Sequence, residues 1–261
     1  MLRVETAGQI ATLVISHAAR RNAMTRAMWQ ALPGVLQKLP AATRCLIVRG
    51  EGDHFCAGGD ISEYPSFRFE PSSLRAFHED DVAPALEALL ALDIPIIAMI
   101  AGHCTGGGLE IAACADIRIA GQGASFGAPI AKLGMPMAQR ELAIVLRAAG
   151  EATVREMLLE AKVLNAAEMK ARGFVQRVMP GGELEQEAHE TAQRIAALSP
   201  QAARLNKQFF RQISDKHNRF TGIESARSAI ESIVTDPYAY AASKEHVEGI
   251  TAFLEKRTAQ F

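Results

Sequence analysis

Pro95-Ile-Ile-Ala-Met-Ile100 is an apolar run without polar alternation, and it leads directly into Gly102-His-Cys-Thr-Gly-Gly-Gly108. A strand that is apolar on both sides must be covered on both sides, the condition of a central strand in a parallel sheet. Leu109–Ala115 then reads as a helix and Asp116–Ala120 as another strand. Strand, glycine loop, helix and strand in so short a stretch make a βαβ unit with a tight crossover, which returns the second strand parallel to the first. The chain is therefore expected to be an α/β protein organised around a buried sheet.

The flanking sequence extends that plan. Leu2–Thr6 and Gln9–Ser16 read as strands joined at Ala7-Gly8. Thr25 stands as N-cap of a helix whose apolar face carries Met28, Trp29, Leu32, Val35, Leu36 and Leu39, with Pro33 expected to kink it. Cys45-Leu-Ile-Val48 is a second buried strand. It is followed by the loop Gly50–Asp60 and a helical pattern over Ser72–Leu92. Beyond Gly150 the pattern is mostly helical, with a strand-like piece at Val175–Val178. From Ser199-Pro200 onward only helices are read. The expected division is a core over residues 1–198 and a helical layer over 199–261.

Charge and cysteine usage narrow the function classes. The formal net charge is −1 and aromatic residues make up 6% of the chain. Neither a basic field nor basic–aromatic interleaving is present to bind nucleic acid or an anionic membrane. Four cysteines without a CxxC pair argue against a disulfide framework or a zinc site and are expected to be reduced thiols. No uncharged apolar run reaches the roughly 18 residues of a membrane span, because Glu87, Asp93 and His103 interrupt the richest stretch. The first residues alternate like a strand rather than a signal peptide, so a cytoplasmic location is expected.

Two glycine loops carry the chemistry. Neither Gly50-Glu-Gly-Asp-His-Phe-Cys-Ala-Gly-Gly-Asp60 nor Gly102–Glu110 fits a dinucleotide fingerprint or a P-loop. What they offer is bare backbone N–H, and one donor from each loop suffices to hold a carbonyl oxygen as it becomes an enolate. The alternative is that the glycines only permit close helix–strand packing. Glu110 sits in the first turn of an apolar helix. It is either a carboxylate favoured by the helix N-terminus or a poorly solvated acid–base group.

These segments together resemble the crotonase (enoyl-CoA hydratase/isomerase) superfamily. GEGDHFCAGGDI and IPIIAMIAGHCTGGGLEIAACADIRIA are similar to its two oxyanion-hole segments. RRNAM (20–24) is similar to its N-terminal CoA-contacting segment, ASFGAP (124–129) with Lys132-Leu-Gly134 to its next block, and GITAFLEKRTAQF (249–261) to its C-terminal helix. The resemblance covers almost the whole chain. It implies a crotonase-like ββα spiral core with an α-helical C-terminal trimerisation region, and an acyl-CoA thioester substrate. No cofactor is implied beyond the coenzyme A of the substrate, and the expected assembly is a homotrimer or dimer of trimers. It further implies thioester-oxygen donors at Gly59 and Gly107 and a catalytic carboxylate at Glu110. Ala57 and Ile61 would face the adenine, Arg21 and Ala23 would lie near the nucleotide phosphates, and Phe253 and Lys256 would reach the CoA of a neighbouring subunit.

The chain departs from that family at two places. The second glutamate of the family's hydratases falls on Ile130, which cannot transfer a proton, and the glycine-rich stretch expected after Gly134 is replaced by Met135–Leu142. The reading is therefore an enolate-forming acyl-CoA enzyme, hydratase-type with a single glutamate. Double-bond isomerisation, another crotonase-type reaction or non-catalytic CoA binding stands as the alternative. Glu141, at a helix start in that altered segment, is expected to be solvated, with a catalytic part as the alternative. His103 is expected to be a packed or hydrogen-bonded core residue. Tyr64, Phe67, Phe69, Met135 and Met137 suggest an apolar acyl pocket. A Clp-type Ser–His–Asp peptidase is disfavoured, because neither Ser62 nor Ser125 has a nucleophile-elbow context and no histidine is suggestively placed.

Overall fold

Both faces of the central sheet are covered, and the covering sorts its continuous apolar strands into two inward-facing sets. A computed structural model of the chain describes residues 1–220 and 239–261. The chain begins with β1 (Leu2–Ala7), β2 (Ile10–Ile15), α1 (Arg26–Gln37), β3 (Cys45–Gly50), α2 (Pro71–Ala76) and α3 (Ala83–Ala91). The centre holds β4 (Ile96–Ile100), β5 (His103–Thr105), α4 (Gly107–Ala113), β6 (Ile117–Gly121) and β7 (Ser125–Gly127). Then come α5 (Gln139–Ala149), α6 (Glu151–Leu159), β8 (Val163–Asn165), α7 (Ala166–Ala171), β9 (Arg177–Met179), α8 (Leu184–Ala196), α9 (Pro200–Phe220) and α10 (Lys244–Leu254).

Six strands form one sheet in the order β1-β2-β3-β4-β6-β9, antiparallel at the opening hairpin and parallel from β2 onward. Cys45, Ile47, Ile97, Met99 and Ile119 face α8, where Ala188 and Ala192 meet them. The alternate residues Leu46, Val48, Ile96, Ala98 and Ile100 face the larger core with Trp29, Leu32, Leu86 and Leu109. The period of 2 is thus present in space although every position is apolar. All four cysteines are buried and unpaired, and burial pushes the Cys45, Cys56 and Cys114 thiols up to about 12.

Two differences from the sequence expectation bear on the site, while the first helix forms with its expected cap. A second sheet, β5-β7-β8, is made of three-residue strands too short to show a period. Helix α1 runs through Pro33 without ending. Thr25 caps it, accepting from Met28 N at 3.2 Å, and Trp29, Leu32 and Leu36 bury its inner face. The helix expected over Ser72–Leu92 is α2 and α3 joined by a π-helical turn, Phe77–Val82.

The C-terminal helices are fastened to this core. Lys207 on α9 donates to Asp116 at 2.9 Å and to the carbonyl of Ile94 at 2.8 Å, and Arg211 pairs with Asp93. Glu245 of α10 accepts from Ser199 and from the amide of Gln201. The part of the expected helical layer that falls on residues 221–238 lies outside the described residues. No helix among the described residues is long and apolar enough to cross a membrane, and no cluster among them could hold a metal ion.

Candidate active site

Both glycine loops sit at the ends of buried parallel strands, and short backbone bonds zip them together. Cys56 N donates to His103 O at 2.9 Å, and Thr105 N donates to Cys56 O at 3.0 Å. On the other side Met24 N donates to Gly58 O at 2.7 Å, and Asp60 N donates to Met24 O at 2.8 Å. The result is three segments side by side: residues 21–24, 56–60 and 103–108. Gly58 and Gly106 both have positive φ, 102° and 52°. Gly106 combines that φ with ψ −121°, a conformation open essentially to glycine alone. These two reversals set the direction of the following amides, Gly59 and Gly107. Among the described residues neither amide N–H finds an acceptor. The Gly107 N–H also opens α4, where the helix dipole adds positive potential.

Glu110 follows one turn later in α4, with part of its surface still accessible. Surrounding protein raises its carboxyl well above the usual range. Burial is the main cause, the Glu141 carboxylate adds to it, and the Arg68 guanidinium opposes it. No hydrogen bond to a described residue engages it. An acid in a dense apolar setting, partly open to a ligand and otherwise unemployed, suits proton transfer near neutral pH.

The roof over these loops is aromatic. A Cβ added to Gly59 would lie 2.4 Å from the Tyr64 hydroxyl, and one on Gly107 would lie 2.8 Å from the Trp29 ring. Burial raises the Tyr64 phenol, Arg68 opposes that shift, and Glu110 reinforces it. The Arg68 guanidinium stacks 4.4 Å from the Tyr64 ring centroid, and Phe67 stacks on Phe77 at 4.5 Å. Phe67 and Met137 are buried, as an apolar pocket needs, whereas Phe69 is 78% exposed and belongs to no pocket. Phe77, on the π-helical turn, takes the place the sequence reading gave to Phe69.

Of the other expected contacts, Arg21 and Ala57 are brought together, Ala57 N donating to Arg21 O at 3.0 Å. Ile61 is exposed just beyond the first loop, and Ala23 is buried with its carbonyl facing His17. Phe253 and Lys256 are exposed at the end of α10, and no hydrogen bond or ion pair ties them to these loops among the described residues. Ile130 sits in the 3-10 turn Pro129–Leu133 against the core.

Two further expectations need correction. Glu141 is not solvated. It is 2% exposed, and its Oε1 accepts from His78 Nδ1 at 3.1 Å. A histidine does lie beside Ser125, since His103 Nδ1 is 3.0 Å from Ser125 Oγ. The pair is nevertheless no nucleophile and base. Arg21 can only donate, so it fixes His103 Nε2 at 3.1 Å as the acceptor and leaves the proton on Nδ1, pointing at the serine. Burial also lowers the His103 pKa, with His54 and Arg21 adding to the effect.

Compared with known proteins, residues 5–261 match the family model for enoyl-CoA hydratase/isomerase. A probable enoyl-CoA hydratase of Mycobacterium tuberculosis is 33% identical over 224 residues, covering 83% of this chain and 79% of that protein. The crotonyl-CoA hydratase of Syntrophomonas wolfei is 33% identical over 223 residues, covering 84% of this chain and 81% of its own. Among solved structures, an enoyl-CoA hydratase/carnithine racemase from Magnetospirillum magneticum superposes with a TM-score of 0.90 at 33% identity. That likeness covers 100% of this chain and 94% of the other.

Proposed function

The chain belongs to the enoyl-CoA hydratase/isomerase family, and from that premise we propose that it reversibly adds water across the double bond of a 2-enoyl-CoA. The observation that carries this reading is the placement of two backbone donors without an acceptor among the described residues, Gly59 N–H and Gly107 N–H, beside the raised carboxyl of Glu110. The thioester oxygen lies between the two amides. As water attacks Cβ, charge moves onto that oxygen, and fixed donors stabilise it without reorganising. Glu110, whose raised pKa favours the protonated form, delivers its proton to Cα, and in dehydration it takes that proton back. Coenzyme A enters and leaves as part of the substrate, and no other cofactor is invoked.

Arg21, Ala23, Ala57 and Ile61 form the rim at which the CoA nucleotide binds. The juxtaposition of Arg21 with Ala57 and the exposed guanidinium support this. Phe253 and Lys256 contact the CoA of a neighbouring subunit within a trimer or dimer of trimers. Exposed Phe210, Ile213, Val247, Ile250, Phe253 and Leu254 on α9 and α10 support burial of that layer on assembly. A cytoplasmic location belongs to the same proposal; among the described residues no helix is long and apolar enough to cross a membrane.

Isomerisation is the second reading, favoured by Ile130 at the position of the second family glutamate. Product analysis separates the two. With 2-enoyl-CoA (crotonyl-CoA and cinnamoyl-CoA) and 3-enoyl-CoA offered in turn, a hydratase gives 3-hydroxyacyl-CoA from the first. An isomerase converts the second to the conjugated form without taking up water. Hydration of neither 2-enoyl thioester would remove the hydratase reading.

A further inference from the structure

We infer that Glu141, carried in from α5 and held by His78, is the second proton-transferring carboxylate of the site, supplying what Ile130 cannot. The inference rests on the hydratase reading above and concerns the other half of the reaction, the activation of water.

Burial gives the first argument. A carboxylate as buried as Glu141 costs stability unless it is paired, and its one hydrogen bond among the described residues comes from a histidine. That bond uses Oε1 and leaves Oε2 without a partner among the described residues. Glu141 nevertheless follows the helical stripe of α5, with Val145 and Ala149 the next buried positions. Helix periodicity thus aims it at the core, where α5 packs on α4, the helix that carries Glu110.

The histidine's orientation gives the second argument. His78 lies on the π-helical turn Phe77–Val82, a kind of distortion often found at functional sites. Arg68 approaches His78 Nε2 at 3.4 Å, so Nε2 is the acceptor and Nδ1 carries the proton that His78 donates to Glu141. The chain Arg68–His78–Glu141 orients one carboxylate oxygen and leaves the other free for a water. It starts from the guanidinium that stacks on Tyr64, over the first glycine loop. Packing of α5 on α4 brings Glu141 toward Glu110, and its charge adds to the upward shift of the Glu110 carboxyl.

The step balances with a single proton on the pair. Water oxygen bonds to Cβ, and one water proton passes to the free oxygen of Glu141. The double-bond electron pair moves onto the thioester as an enolate held by Gly59 and Gly107. The enolate collapses and takes the Glu110 proton at Cα. Water has then been added, and the pair has exchanged its proton from Glu110 to Glu141. The proton returns through solvent before the next turnover.

The test compares wild type with Glu141→Gln, which keeps the acceptor for His78. It measures kcat and KM on crotonyl-CoA and cinnamoyl-CoA, and Kd for butyryl-CoA, which binds but cannot be hydrated. The expected result is kcat lowered about 10²-fold, with KM and the butyryl-CoA Kd within about threefold of wild type. Equal kcat in the two proteins would overturn the inference and leave the hydratase reading intact. A parallel loss of kcat and butyryl-CoA binding would also overturn it, since Glu141 would then be a scaffold residue. Hydration of neither substrate by wild type would remove the underlying reading and this inference with it. His78 is a positioning residue, so His78→Ala is expected to lower kcat and His78→Asn, which can still donate, to restore most of it. Equal defects in the two histidine variants would overturn that role.

Discussion

Glu110→Gln lowers kcat for crotonyl-CoA hydration about 10³- to 10⁴-fold, the upper part of the range for losing an acid–base group, while KM stays within about threefold. The substitution preserves shape and helical propensity, and among the described residues the Glu110 carboxyl makes no hydrogen bond that the amide would break. What disappears, on the proposed mechanism, is the proton destined for Cα. Loss of enoyl-thioester absorbance reads the rate. A kcat within tenfold of wild type would mean that Cα is protonated by another group and that Glu110 is only a helix-start carboxylate.

The same variant should be more stable than wild type, and the sign follows from its raised pKa. Below the ordinary value of 4.5 the carboxyl is neutral whether the chain is folded or not, so it has no pH-dependent effect on stability. As pH rises past that value the unfolded chain releases the proton and the folded chain retains it, which favours unfolding. The penalty is complete once pH exceeds the raised folded value. Glutamine has no such proton, so the Tm advantage of Glu110→Gln grows from acid to neutral pH. On the proposed mechanism hydration requires the neutral acid, so wild-type kcat is expected to fall as pH rises through the folded pKa of Glu110. A Tm for the variant below that of wild type at pH 8 would show that the carboxylate is supported rather than strained. Activity and stability thus pull in opposite directions at this residue.

The pairing of the two glycine loops was legible in the sequence because each loop is covalently attached to a strand whose apolar run declares its burial. Once β3 and β4 lie parallel, the segments that leave their C-terminal ends must lie side by side, and Gly58 meets Gly107. Strands β5, β7 and β8 were missed because three residues show no period. Glu141 was read as solvated because a glutamate near a helix start usually is. The stripe Glu141, Val145, Ala149 carried the contrary signal, being one helical face at i, i+4 and i+8. His78 had no such signal. It reaches Glu141 from 63 positions away, through a π-helical turn that shifts the helical register expected of an unbroken helix. Phe69 and Phe77 show the same limit, since aromatic content says nothing about which ring turns inward.

Gly108→Ala is expected to damage the oxyanion hole without touching a reacting group. A Cβ at Gly108 would lie 2.2 Å from Cys56 O, 2.9 Å from Cys56 Cβ and 3.0 Å from Cys56 C. Two of those atoms are backbone of the first loop, next to the Ala57-Gly58-Gly59 turn, and cannot swing aside as a side-chain tip does. The methyl group therefore forces the two loops apart, and both amides lose their common focus. Misplacing preorganised donors costs about as much as deleting one, so kcat should fall about 10²- to 10³-fold, together with about 1–3 kcal/mol of stability from overpacking. Gly34→Ala is the control, because nothing lies within 4 Å of its Cβ and it occupies the interior of α1. There alanine should stabilise by about 0.5–1 kcal/mol and leave kcat unchanged. If Gly108→Ala loses stability but keeps kcat within about threefold of wild type, the spacing between the loops does not position the reacting oxygen. The glycines would then be there for packing alone.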